Sequence, residues 1–442
     1  MLKVAYSKQK SIAHFYLALK YEEILMSTRS SSVIESRTGN DFWKFWTGQT
    51  ISTLGSSFTS FALPLLIFNL TGSSLNLALT VTAVVLPYLL FGLVIGAWVD
   101  RVNRKRLMVV TDLTRALVIA SIPLASMQGF LSVWWIYAVA FLNSALTICF
   151  DAANFAAVPG LVRQEDLVTA NGRLQAGYSM AKVGGPLLGG LLIIVVPLPM
   201  LLLIDALSFL ISAGSLMLIT TSFNTTPDGR QPGTSLRQDI VEGLRYVLKH
   251  PILSWITLLL LLVNFILPTA SAQLVLFAKQ WFAASDAQVG LLYASGSLGT
   301  VVFSLVAGRF LKHSPVGSNA LGALLMEGVF TALTAVTHWY WVLLLLWALR
   351  GSADVLFTIT SYSLAQSTVP NQLLGRAITV IRVLTWSTAS LGALLGGLAI
   401  ERTHNVALVY AVIGLLIFGI TLTFFLTPLG HTERYLSKDK SS

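Results

Sequence analysis

Glu327, Arg350 and Asp354 stand inside long apolar runs of this sequence, and so do Asp112, Arg115, Asp151, Lys182, Asp205 and Arg382. In hydrocarbon an ionisable side chain costs at least about 2.5 to 3.5 kcal/mol, so each is a candidate for carrying a proton or meeting a charged solute. The plainer alternative is that buried charges pair with one another and only hold helices together. Arg350 and Asp354 are four residues apart, the spacing of neighbours on one helix face. Asp354 is the first candidate for a proton carrier. A carboxyl in a half-desolvated cavity holds or releases its proton according to whether a guanidinium stands beside it, so movement of Arg350 would switch its protonation. A permanent ion pair bracing the helix is the competing role, and Glu327 is the second candidate carrier.

Asp112 and Arg115 are one helical turn apart and can share a face. With Asp151 and the charged loop "GAWVDRVNRKR" at 96–106 they form one group in the first half of the chain, to which a gate or structural role is assigned, with proton carriage the alternative. Asp205 is assigned to packing. Lys182 and Arg382 lie about a third of the way into their apolar runs and either attract an anion or snorkel toward the membrane surface. Enzymatic chemistry finds no support: no GxxxxGK[ST] loop is present, and none of the six histidines has metal-ligand spacing. No cofactor or metal is expected. Without a nucleotide site the chain cannot itself use ATP, which leaves ion gradients as the available energy source.

These residues need elements that cross a bilayer. The chain has 442 residues, 55% hydrophobic and 11% charged, against about 25% charged in a soluble domain. Twelve runs approach or exceed the roughly 18 to 25 residues of a membrane-spanning helix: 44–70, 75–99, 107–127, 132–157, 171–196, 198–222, 252–278, 287–310, 319–336, 339–366, 377–400 and 404–427. Long alternating strands of the outer-membrane barrel kind are absent from the sequence. The net charge of +10 would suggest nucleic acid on a soluble protein, but here basic residues gather in alternate loops. That pattern predicts both termini on the cytoplasmic side of the inner membrane, beside anionic lipid. Trp43, Trp46, Trp134, Trp135, Trp339 and Trp341 at span ends suit an interfacial belt.

Five segments are expected: a cytoplasmic amino-terminal extension at 1–41, a six-helix bundle at 42–222, a cytoplasmic linker at 223–250, a second six-helix bundle at 251–428 and a cytoplasmic tail at 429–442. The stretch 11–26 could lie on the membrane as an amphipathic helix, or Met26 could be the true start. In the linker, Leu236 to Leu248 has helical periodicity and is expected to lie flat on the inner surface. The lone cysteine, Cys149, suits an inert core thiol. "GPLLGGLL" at 185–192 recurs as "GALLGGLA" at 392–399, and Arg101 matches Arg309 at nearly the same offset, so the halves read as duplicates. The paired glycines of those motifs permit close helix approach. Arg350 and Asp354 have no counterparts at the offset, which argues against a purely scaffolding role.

"GAWVDRVNRKR" resembles the signature between the second and third helices of the major facilitator superfamily, through Gly96, Asp100, Arg101, Arg104 and Lys105, and "GRFLKHS" at 308–314 lies in the equivalent second-half loop. "WTGQTISTLGSSFTSFALPL" at 46–65, "DLTR" at 112–115, "FDAANFAAVPGLVRQEDLVTANG" at 150–172 and "DALSF" at 205–209 resemble the branch with macrolide efflux proteins and the enterobactin exporter. The resemblance implies an all-α membrane protein of twelve transmembrane helices in two pseudo-symmetric six-helix bundles, exporting small amphipathic molecules in exchange for protons. It implies that the first, fourth, seventh and tenth helices line the cavity, which favours Arg350 and Asp354 over Glu327. It also implies that Asp100 latches against the amino end of the eleventh helix, around Arg376 to Thr379. The second-half copy has Gly308 in place of Asp100, so the latch should be one-sided. Gln49, Asn264 and Gln273 are neutral candidates for substrate contact.

The sequence therefore predicts a monomeric secondary transporter, moving a small molecule out of the cell by alternating access, with protons and the lipid bilayer as its other partners. Proton-coupled or facilitated uptake is the alternative within transport, and a non-transporting membrane sensor or scaffold the alternative outside it.

Overall fold

The computed structural model describes residues 39–99, 102–163, 166–223, 236–311, 316–369 and 371–431. The first bundle holds α1 (Gly39–Thr71), α2 (Ser74–Val99), α3 (Arg104–Met127), α4 (Val133–Leu161), α5 (Leu167–Leu192) and α6 (Leu198–Met217). A short amphipathic helix, α7 (Leu236–Lys249), follows. The second bundle holds α8 (Pro251–Ala272), α9 (Leu274–Phe282), α10 (Asp286–Leu311), α11 (Val316–Val336), α12 (Tyr340–Thr368), α13 (Asn371–Thr403) and α14 (Val406–Phe425). A single 3-10 turn, Pro428–His431, ends the described chain. Eleven of the described helices are long and apolar enough to cross a membrane. The twelfth expected span is α5, long enough at 26 residues but diluted by Arg173, Lys182 and its glycines.

Helix starts are chemically marked. The side chains of Asn103, Ser132 and Asn405 accept from the backbone N–H three residues on, at 2.9, 3.3 and 2.9 Å, and so satisfy donors the first turn leaves orphaned. Large apolar side chains such as Leu117, Phe155 and Leu305 are exposed, as expected where helices border lipid or an internal cavity.

One expected span is divided. The run 252–278 breaks at Gln273, where α8 ends and α9 begins. Gln273 is fully buried, and its amide donates to the Ser74 carbonyl at the start of α2, 2.8 Å away. Five residues earlier, Pro268 lacks the N–H that would bond back along α8. Beyond the break Phe277 stacks on Tyr410 of α14 with ring centroids 4.4 Å apart, which holds α9 in the core. The linker helix α7 is not merely laid on a surface: Val247 is fully buried and Tyr246 donates to the Thr368 carbonyl at the end of α12.

Within the first bundle α3 packs on α4 and α6, and α2 on α4; within the second, α11 packs on α12 and α14, α10 on α12, and α13 on α8. The bundles meet along two helix pairs, α5 with α10 and α2 with α13. The end of the molecule that carries the α1–α2 turn is called distal below, and the end that carries the α2–α3 turn proximal.

Candidate functional site

Glu327 of α11 has no exposed surface, and its Oε1 lies 3.1 Å from Nη2 of Arg350 on α12. The pair is boxed in. On one side Gly328 and Gly414 let α11 and α14 approach until a Cβ on Gly414 would lie 2.5 Å from the Ala332 nitrogen. On the other, the Arg350 guanidinium rests over the Trp347 ring, 4.6 Å from its centroid. Arg350 thus turns to α11 and away from Asp354, which corrects the expected pair within α12. The reason is energetic: an exposed i,i+4 pair contributes about 0.2 to 0.5 kcal/mol, whereas stranding a buried carboxylate costs several. Asp354 is left exposed, and no described residue pairs with it.

Asp354 and Arg350 face a cavity of about 170 Å³ whose wall includes Ser271 from α8, Tyr293, Ser297 and Thr300 from α10, and Trp347 from α12. A single lining residue, Lys182 of α5, comes from the first bundle. The α10–α12 wall closes because a Cβ on Gly351 would strike the Gly296 carbonyl, and one on Gly299 the Ala348 carbonyl. Hydroxyls fasten the same seam, Thr300 to the Gly351 carbonyl at 3.2 Å and Ser352 to that of Gly299 at 3.0 Å.

The first bundle has its own buried charges. Arg115 lies 3.7 Å from Asp112, bonds Asn143 at 3.3 Å and stands over the Phe209 ring at 3.9 Å. Asp112 has no exposed surface, and neither carboxylate oxygen has a hydrogen-bond partner. Asp205 accepts from the hydroxyls of Thr59, Ser56 and Ser208, a set that ties α6 to α1. Asp151 is exposed. Gln49, expected to meet substrate, is buried and donates to Ser212 at 3.2 Å; Asn264 is half-buried and donates to the Leu260 carbonyl at 3.0 Å.

Of the expected gate residues, Arg104 donates to the carbonyls of Ala156 and Phe223, and Lys105 to those of Met217 and Ile219. Both cations therefore sit where α4 and α6 end, against carbonyls that carry the helices' partial negative charge. Gly96 is in the last turns of α2; Asp100 and Arg101 lie outside the described residues, as do the side chains of 371–379, so the expected latch falls outside them too. Sequence reasoning passed over Asp41, whose Oδ2 accepts from the backbone and hydroxyls of Thr220 and Thr221 while Lys44 holds Oδ1. Its one signal is an acid at the mouth of a helix.

A junction stands at the distal end, where sequence reasoning offered no candidate except Gln273. Ser74 donates to Glu401 at 2.8 Å and the Gly397 carbonyl at 2.9 Å, Ser73 reaches Glu401 at 3.3 Å, and Gln273 reaches Ser74. Among the described residues these four hydrogen bonds join the two bundles. On the α5–α10 pair, a Cβ on Gly290 would lie 2.6 Å from the Gly190 Cα, so the backbones are in contact.

Two six-span bundles around an inter-bundle cavity, with charge in its wall, define a membrane transporter of the major facilitator fold. The chain belongs to the transmembrane secretion effector family of that superfamily, whose model matches residues 37–441. It is 27% identical over 395 residues to the enterobactin exporter EntS of Shigella dysenteriae, covering 86% of this chain and 90% of that protein. To macrolide efflux protein A of Streptococcus pyogenes it is 23% identical over 367 residues, covering 82% and 89%. Among solved structures, a mutant of the nucleoside transporter NupG superposes with a TM-score of 0.74 at 14% identity, over 87% of this chain and 100% of that one.

Proposed function

We propose that the chain is a proton-driven exporter of small amphipathic molecules, acting as a monomer by alternating access in the cytoplasmic membrane with both termini inside the cell. The observation that carries this is Asp354, an unpaired carboxylate in the wall of an inter-bundle cavity, one helical turn from a guanidinium fixed by Glu327. Antiport requires solute and proton to exclude each other at one site. A carboxylate that faces the cavity and owes nothing to a permanent partner can do this, whereas Glu327 is committed to Arg350. Two relatives, an enterobactin exporter and a macrolide efflux protein, support export over uptake. The concentration of basic residues in alternate loops supports the orientation, in which the distal end faces outward. In that frame the Ser74–Glu401–Gln273 junction is the closed outer gate, and its bonds part when the cavity turns outward.

Everted vesicles carrying the protein should release protons on addition of a transported amphipathic compound and accumulate it. Asp354→Asn should abolish accumulation driven by a pH gradient yet retain counterflow exchange at saturating solute. Full gradient-driven activity in that variant removes the assignment, and absence of both proton release and accumulation across a panel of drugs and siderophores removes the export function.

A further inference from the structure

The cavity brings together two charges that no described residue neutralises. Lys182 enters from α5 of the first bundle and Asp354 from α12 of the second; both are exposed, and they do not pair with each other. One donor for an anion, Lys182, and one acceptor for a cation, Asp354, therefore face the same space. A purely anionic ligand would face the Asp354 carboxylate, and a purely cationic one would face Lys182. Only a ligand with both charges leaves neither wall opposed.

Size sharpens the class. Drug-sized ligands occupy pockets of roughly 300 to 1,000 Å³, so about 170 Å³ suits a solute of single-amino-acid size rather than a drug-sized one. Tyr293 and Trp347 supply aromatic surface in the same wall. We propose that this cavity takes a zwitterionic aromatic solute of the amino-acid type, its carboxylate on Lys182 and its ammonium on Asp354.

This rests on the export function above and gives it a coupling step: the ligand's ammonium and the incoming proton compete for one carboxylate. The ligand also ties the bundles together, because its two charged partners belong to different ones. Lys182 lies eight residues before Gly190, about 12 Å along α5 at 1.5 Å per residue. Rocking about the Gly190–Gly290 contact would thus move Lys182 relative to Asp354, so ligand bound to both favours one arrangement over the other.

Three indoles of matched shape test this: tryptophan, tryptamine with the cation only, and indole-3-propionate with the anion only. Counterflow in proteoliposomes, which needs no gradient, should favour tryptophan over each of the others by about tenfold or more, as expected for one lost charge-assisted hydrogen bond. Lys182→Gln should shift preference toward tryptamine and Asp354→Asn toward indole-3-propionate, opposite changes that general damage to the fold would not produce. Equal transport of the three compounds, or variants that lose all three alike, overturns the proposal. If none of the three exchanges while a macrolide is exported on a proton gradient, the zwitterion site falls and the export function stands. Tryptophan exchange with no gradient-driven export of any compound supports the site and removes the coupling.

Discussion

Glu327 has one charged partner and no route to water, and that sets its energetic weight. Removing either half of a buried ion pair costs about 3 to 5 kcal/mol, because the other charge stays behind, while replacing both by apolar groups is often neutral. Glu327→Gln and Arg350→Met are each expected to lower thermal stability in detergent, and the double variant Glu327→Leu/Arg350→Met to recover most of the loss. Asp354→Asn, at an exposed position, should change stability by no more than about 0.5 kcal/mol. A destabilised Asp354→Asn beside an unaffected Glu327→Gln would reverse the roles given to the two acids. The sequence named all three side chains of this group but not their partnership. Spacing along one helix makes Arg350 and Asp354 look like a pair. That α11 brings Glu327 within 3.1 Å of Arg350 is a fact of helix packing, which residue spacing does not encode. The partners of Gln49 and Gln273 were hidden for the same reason: each is a polar side chain in an apolar run, and its hydrogen bond to Ser212 or to Ser74 depends on a distant helix.

At the level of elements, the spans were legible because a bilayer of fixed thickness demands apolar runs of fixed length. The break at Gln273 was not, because α8 and α9 form one continuous apolar run and the interruption depends on Ser74, about two hundred residues away. The paired-glycine motifs did mark close approaches. In α5 the partner of Gly190 is Gly290 of α10, and in α13 Gly397 packs on Ala78 of α2. At Gly190 and Gly290 the two backbones touch and leave no room for a side chain. Gly290→Leu should push α5 from α10, and in a Cys149→Ala/Ala78→Cys background it should raise labelling by an impermeant maleimide added outside the cell. Unchanged labelling together with normal transport would mean that the α5–α10 contact does not hold the distal end shut.

For the whole molecule, alternating access requires the distal junction to open in every cycle. An ideal Cβ on Gly397 lies 2.7 Å from that of Ala78, close to the ~3.8 Å of a disulfide after a small shift. Ala78→Cys/Gly397→Cys, again without Cys149, should crosslink on oxidation, lose transport and regain it on reduction. A protease site placed within 224–235 would report the bond, since cleaved halves stay joined only when it has formed. Full transport by the oxidised protein would exclude movement at this junction as part of the cycle.

Lys182 is the lone contribution of the first bundle to a cavity wall otherwise built after residue 270. On the proposed site, ligand preference is expected to follow almost wholly from the second half of the chain. A hybrid that joins the first half of a relative to residues 251–442 of this chain should keep this chain's ligand preference, provided a lysine stands in place of Lys182. Recombination between duplicated genes could in this way exchange one half while leaving the cargo unchanged.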